Sequence, residues 1–298
     1  MRRFLTRSDW PHRGCLPRWR RATGVALVAA ALLAACATQT TSPGAVGVDR
    51  PQMLLIPAAD MDRAAEQSYR QILREAQTKG QLNHDAGDTA RVRAIANRLI
   101  PATAAFRSDA PGWRWEVNVI DSKEVNAWCM PGGKIAVYSG LIDTLRPTDA
   151  ELAAVMGHEI AHALREHGRE RASQAQAANL GLTFLGAAAG LSRNQVDLAG
   201  QITDLTVLRP NSRQNEAEAD RIGVELAARA GYDPQAAVSL WEKMAARNGG
   251  QPPQWLSTHP SHATRIADLQ VAAERVQPLY VAARRTLRPE RSEKPRPG

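Results

Sequence analysis

The 298-residue sequence has little cysteine, no long apolar run and no excess of positive charge in its body. Of three cysteines, Cys15 and Cys36 lie near the N-terminus. Cys129 is left alone, which excludes an intramolecular disulfide in the remainder; it reads as a small buried hydrophobe in a strand. A helix crossing a bilayer needs about 20 apolar residues. The two longest apolar stretches, 22–36 and 178–191, are both shorter. The second is rich in Ala and Gly and reads as a packed helix. Net charge is +8, but residues 1–35 carry seven arginines and one aspartate, and residues 284–298 carry six basic and two acidic residues. The body, 36–283, is slightly negative, so no basic groove for nucleic acid is expected. No internal repeat is visible, which excludes helical-repeat arrays.

At the N-terminus, Arg18, Arg20 and Arg21 precede the apolar run, as in a signal peptide. The run ends Leu33-Ala34-Ala35-Cys36, an order that resembles the lipobox of bacterial lipoproteins. The resemblance implies a signal peptide over 1–35 and lipidation of Cys36, a firm tether where several acyl chains are attached. Ala37 is not the aspartate that retains lipoproteins in the inner membrane, which implies the outer membrane. Residues 36–57 are dominated by Ser, Thr, Gly and Pro and read as a linker. Residues 282–298 read as a disordered basic tail. A single domain is expected over 58–281.

Within that domain the hydrophobic period is helical over 58–79 and again over 88–100, where Pro101 stops it. It alternates over 113–120, and two short strands follow, joined by Pro131-Gly132-Gly133 as a hairpin. Helical patterns fill the rest. The expected class is α+β, mainly helical, with a small antiparallel sheet.

The stretch "MGHEIAHALREHG" (156–168) carries the chemistry. Thr148-Asp149-Ala150-Glu151 forms a capping box, so a helix starts just before Leu152. Positions four apart on a helix differ by about 40° and about 6 Å of rise. His158 and His162 therefore face one way and can share one ion, while Glu159 flanks it and can hold a water. His167, five residues past His162, reads as a solvated polar residue. A catalytic zinc needs a third protein ligand and an open position. The helical stretch 211–234 supplies Glu216, with Asp220 one turn on, placed to fix an imidazole tautomer.

Four stretches together resemble the zinc metallopeptidase family that includes HtpX, the CAAX prenyl proteases, BepA and LoiP. They are "NAWCMPGGKIAVYSGLI" (126–142), "ELAAVMGHEIAHALREHG" (151–168), "RQNEAEADRIG" (213–223) and "STHPSHATRI" (257–266). The chain lacks the apolar spans of HtpX and the repeat domain of BepA, so it looks closest in build to the compact periplasmic lipoprotein members. The resemblance implies a zincin-type domain holding one Zn2+ through His158, His162 and Glu216. It implies that Glu159 is the general base and Asp220 a support behind the ligands. It also implies that His259 can approach the metal and hold the enzyme latent, with Arg265 six residues later; both are candidate donors to the oxyanion. The function so implied is a zinc-dependent endopeptidase of the bacterial envelope, periplasmic and anchored to the membrane through its N-terminal lipid. Its expected partners are unfolded or misassembled envelope proteins, not nucleic acid. A zinc-binding chaperone or assembly factor without proteolytic activity is the alternative.

Overall fold

The computed structural model describes residues 37–188, 212–246, 259 and 264–287. Cys36, and with it the lipidation site, lies outside the described residues.

Strands β1 (Ala37–Thr38) and β2 (Gln52–Met53) pair antiparallel. Helices α1 (Ala58–Thr78) and α2 (Ala86–Ala102) follow. The Asp85 side chain caps α2 by accepting from the Asp88 N–H at 2.7 Å. Pro101 stands in the last turn of α2, which ends one residue later. After two short 3-10 turns come β3 (Glu116–Ile120), β4 (Ala127–Met130) and β5 (Lys134–Tyr138). Helices α3 (Ser139–Leu145), α4 (Asp149–Leu164), α5 (His167–Ala188), α6 (Arg213–Arg229), α7 (Ala236–Ala246) and α8 (Arg265–Leu287) complete the described chain. The apolar run 178–191 enters α5 as far as 188, and the rest of it is outside the described residues.

The α+β class stands, but the sheet is mixed rather than antiparallel. Its order is β3-β5-β4, with β5 parallel to β3 and antiparallel to β4. The expected hairpin forms, yet its second strand inserts beside β3. The link 121–126 has to cross the end of β5 to reach the far edge. It passes so close to α3 that a Cβ at Gly140 would fall 2.6 Å from the Lys123 carbonyl. The outer edge of β3 is closed by Asn83, whose N–H donates to the Val119 carbonyl at 2.8 Å and whose Oδ1 accepts from the Val119 N–H at 2.9 Å. Among the described residues no strand pairs with the outer edge of β4.

Two expected boundaries are corrected. The 36–57 segment is not a free linker. Val46 and Val48 are buried in the main core, and the Val46 N–H donates to Glu225 Oε2 at 2.9 Å. Burial of Val46, Val48 and Leu54 offsets part of the cost of ordering the strap. The tail begins later than 282, because α8 runs to Leu287. Residues 288–298 are outside the described residues.

Helix α4 lies at the centre, with all its residues from Glu151 to Leu164 buried. Its capping box is complete: Thr148 Oγ1 accepts from the Glu151 N–H at 3.3 Å, and Glu151 Oε2 accepts from the Thr148 N–H at 2.7 Å. α4 packs between the sheet and α6, and α8 packs against α6. Where α4 crosses α6 the backbones touch at Gly157 and Gly223. That close crossing brings the polar side chains of both helices together.

Candidate metal centre

On α4, His158 and His162 point into the crossing, and α6 presents Glu216 and Asp220 to them. His158 Nε2 and His162 Nε2 are 3.0 Å apart. Glu216 Oε1 is 3.3 Å from His162 Nε2, and Oε2 is 3.5 Å from His158 Nε2. His259 Nδ1 completes the group, 3.2 Å from His158 Nε2 and 3.0 Å from Glu216 Oε1. These four residues could hold one metal ion, and all are buried.

The geometry fits zinc. Four ligands at about 2.0–2.1 Å in a tetrahedron stand about 3.3–3.4 Å from one another, and the measured edges bracket that value. The tautomers fit as well. Asp220 Oδ1 lies 2.9 Å from His158 Nδ1. A carboxylate only accepts, so Nδ1 carries the proton and the Nε2 lone pair faces the other donors. Lone pairs and a carboxylate converging in a buried space favour a cation between them, a metal ion or, without one, a proton. The titration behaviour agrees. Burial opposes charge on His158, but Asp220 and Glu216 outweigh it and raise its pKa to about 9. Burial holds the pKa of His162 well below that of a free histidine. Burial also opposes ionisation of Glu216, yet the His158, His162 and His259 imidazoles keep it far below the usual carboxylate range.

Glu159 is buried beside the group, its Oε1 3.4 Å from His259 Nε2. Cys129 on β4 is a free thiol, pushed up in pKa by burial and by the neighbouring Glu159 charge. Arg265 is placed differently from the oxyanion role expected for it. It is wholly buried behind the ligands, its Nε 2.7 Å from Asp220 Oδ2 and its Nη1 3.1 Å from Glu216 Oε2. Its guanidinium stacks over Trp241 at 3.7 Å. Arg265 thus orients the two carboxylates of α6.

The reading of His167 as solvated is overturned. It is fully buried, its Nδ1 2.8 Å from His162 Nδ1. Continued as one helix from α4, position 167 would point about 140° away from 162. Instead α4 ends at Leu164 and Glu166 takes a left-handed φ of 50°. The left-handed position itself is not a glycine; the nearest one, Gly168, comes two residues later, inside α5. Glu218 is buried too and pairs with Arg165 at 2.8 Å and with Arg50.

A family model, Peptidase family M48, matches residues 86–273. The chain belongs to peptidase family M48. The M48 match spans all four clustered residues, Glu159, Asp220 and Arg265, and leaves Arg50 outside. Membership makes this a metallopeptidase domain, and zinc is the metal for which its cluster is built. Three relatives place it further. Mitochondrial metalloendopeptidase OMA1 of Bos taurus is 39% identical over 193 residues, covering 60% of this chain and 36% of that protein. The OMA1 metalloendopeptidase of Schizosaccharomyces pombe is 34% identical over 214 residues, covering 70% of this chain and 59% of that protein. The beta-barrel assembly-enhancing protease of Escherichia coli K12 is 34% identical over 173 residues, covering 55% of this chain and 35% of that protein. The M48 chain therefore spans from about a third to three fifths of the length of these relatives.

Proposed function

We propose that the chain is a zinc-dependent endopeptidase of the bacterial cell envelope, acting on unfolded or misassembled proteins. The observation that carries the proteolytic part is the convergence of His158, His162 and Glu216 on one point beside the buried carboxylate of Glu159. The envelope part is supported by the lipobox-like order ending at Cys36 and by similarity to the E. coli beta-barrel assembly-enhancing protease. The similar OMA1 proteins are mitochondrial by name, so the support for a bacterial compartment rests on those two features. Among the described residues no helix is long and apolar enough to cross a membrane.

In this reading His158, His162 and Glu216 hold the zinc, and Asp220 fixes the tautomer of His158. Zinc, when bound, activates a water and polarises the scissile carbonyl. Glu159 accepts the proton of the attacking water and hands it to the departing amine. An extended peptide adds to the open edge of β4, which runs alongside α4. Pairing through the backbone reads little of the side chains, which suits unfolded substrates. His259 Nδ1 stands at the corner that a catalytic zinc leaves open. The arrangement is then the latent one, and withdrawal of His259 opens the site.

The closed four-residue set favours one other reading, a zinc-binding chaperone or assembly factor without proteolysis, since structural zinc sites are closed. Glu159→Gln in the zinc-loaded full chain separates the two. The variant is expected to keep its zinc and lose cleavage of an unfolded protein by about 10²-fold or more. Parent protein that leaves such a substrate intact, with and without His259, would favour the chaperone.

A further inference from the structure

Behind the ligand His162 lies a buried chain of polar groups that none of the roles above uses. His162 Nδ1 faces His167 Nδ1 at 2.8 Å, and His167 Nε2 faces Glu218 Oε2 at 3.2 Å. Glu218 in turn accepts from Arg165 Nε at 2.9 Å and pairs with Arg50. Arg50 also binds Glu170, its Nη2 donating to Oε2 at 2.9 Å. The chain thus ends on the strap 37–57, outside the residues matched by the family.

The proton positions follow from chemistry alone. Glu218, ionised, can only accept, so His167 Nε2 carries the hydrogen. A neutral His167 then has its lone pair on Nδ1 and accepts from His162 Nδ1–H. That leaves the Nε2 lone pair of His162 pointing into the cluster, as a metal ligand requires. His158 receives the same support directly from Asp220. Glu216 meets His162 at Nε2, on the metal side; at Nδ1 the partner is His167, which relays the Glu218 carboxylate to it. The residue can do so because the left-handed Glu166 turns the start of α5 back over the end of α4.

We propose that His167 is a positioning residue for the zinc ligand His162. It holds that ligand's tautomer and ring orientation by relaying Glu218, which the strap residue Arg50 and Arg165 hold in place. The proposal rests on the metallopeptidase reading for the identity of the ion, but it concerns this chain's own hydrogen bonds and is tested apart from proteolysis.

Three forms of the full chain are compared: the parent, His167→Leu and His167→Gln. Zinc dissociation constants are measured by competition with a chromophoric chelator. Leucine removes both hydrogen bonds, and zinc affinity is expected to fall about 10–100-fold, while glutamine keeps an acceptor and a donor and should restore it to within about threefold of the parent. A merely structural histidine would lower the melting temperature of both variants without this split. Parent-like zinc affinity in His167→Leu, or equal loss in both variants, overturns the proposal. Nitrogen-15 NMR of the metal-free parent provides a reading that needs no variant. His162 should carry its proton on Nδ1, and a proton found on Nε2 overturns the relay. Failure of the protease reading would show elsewhere, as a parent that binds no zinc or cleaves nothing, and leaves the tautomer result interpretable.

Discussion

Gly157 on α4 and Gly223 on α6 meet backbone to backbone. A Cβ at Gly157 would fall 2.8 Å from the Gly223 carbonyl oxygen, and one at Gly223 would fall 2.7 Å from the His158 amide nitrogen. No flexible side chain stands there to give way. The two helices can approach this closely only because both residues lack a Cβ, and the approach lets Glu216 and Asp220 reach the imidazoles of α4.

Gly223→Ala should therefore push the helices apart. Overpacking of this kind costs about 1–3 kcal/mol. Thermal unfolding should show that loss, and a chelator competition should show weaker zinc binding. A variant that melts lower yet binds zinc as the parent does would separate the crossing from the metal site.

Asp220→Ala removes the acceptor of His158 Nδ1 and one partner of Arg265. Zinc affinity should fall about 10–100-fold. Asp220→Asn keeps the acceptor oxygen and should lose less. Equal binding by all three forms would show that the tautomer of His158 is set by something else.

His259→Ala empties the fourth corner of the cluster while leaving His158, His162 and Glu216 in place. Cleavage of an unfolded protein should rise and zinc should stay bound. Unchanged cleavage together with unchanged metal coordination, read from the spectrum of the cobalt-substituted protein, would remove the latency role.

Acid should erode the fold through Glu218. Burial opposes its ionisation, but His167, Arg50 and Arg165 outweigh burial and hold it at about 2, against 4.5 for an ordinary glutamate. The folded state then binds fewer protons than the unfolded one between those values. The stabilisation is complete above the unfolded pKa and is lost as pH falls toward the folded one. Glu218→Gln should melt below the parent near neutral pH, and the gap should narrow as pH drops from about 5 to about 3. A gap that does not change with pH would mean that Glu218 acts by shape rather than charge.

The helix bearing the two histidines is legible in the sequence, and so is its partner. A capping box acts over four residues, and His158 with His162, like Glu216 with Asp220, share a face by helical period alone. The strap 37–57 was not legible, because its composition is that of a linker and what ties it down, the buried Val46 and Val48 and the ion pairs of Arg50, is met only in distant elements. Nor was His167, whose direction depends on a break that the residues around Glu166 do not announce.

The sequence by itself determined which side chains could serve a metal, because short-range hydrogen bonding and the 3.6-residue period depend on neighbours in the chain. Tertiary structure alone decided what they meet: that β5 inserts between β3 and β4, that His259 takes the fourth corner, that Arg265 backs the carboxylates, and that His167 turns inward to Glu218. Each of those contacts joins different elements, and the packing of one helix or strand on another selects them. At the crossing that matters most, two missing methyl groups set the distance.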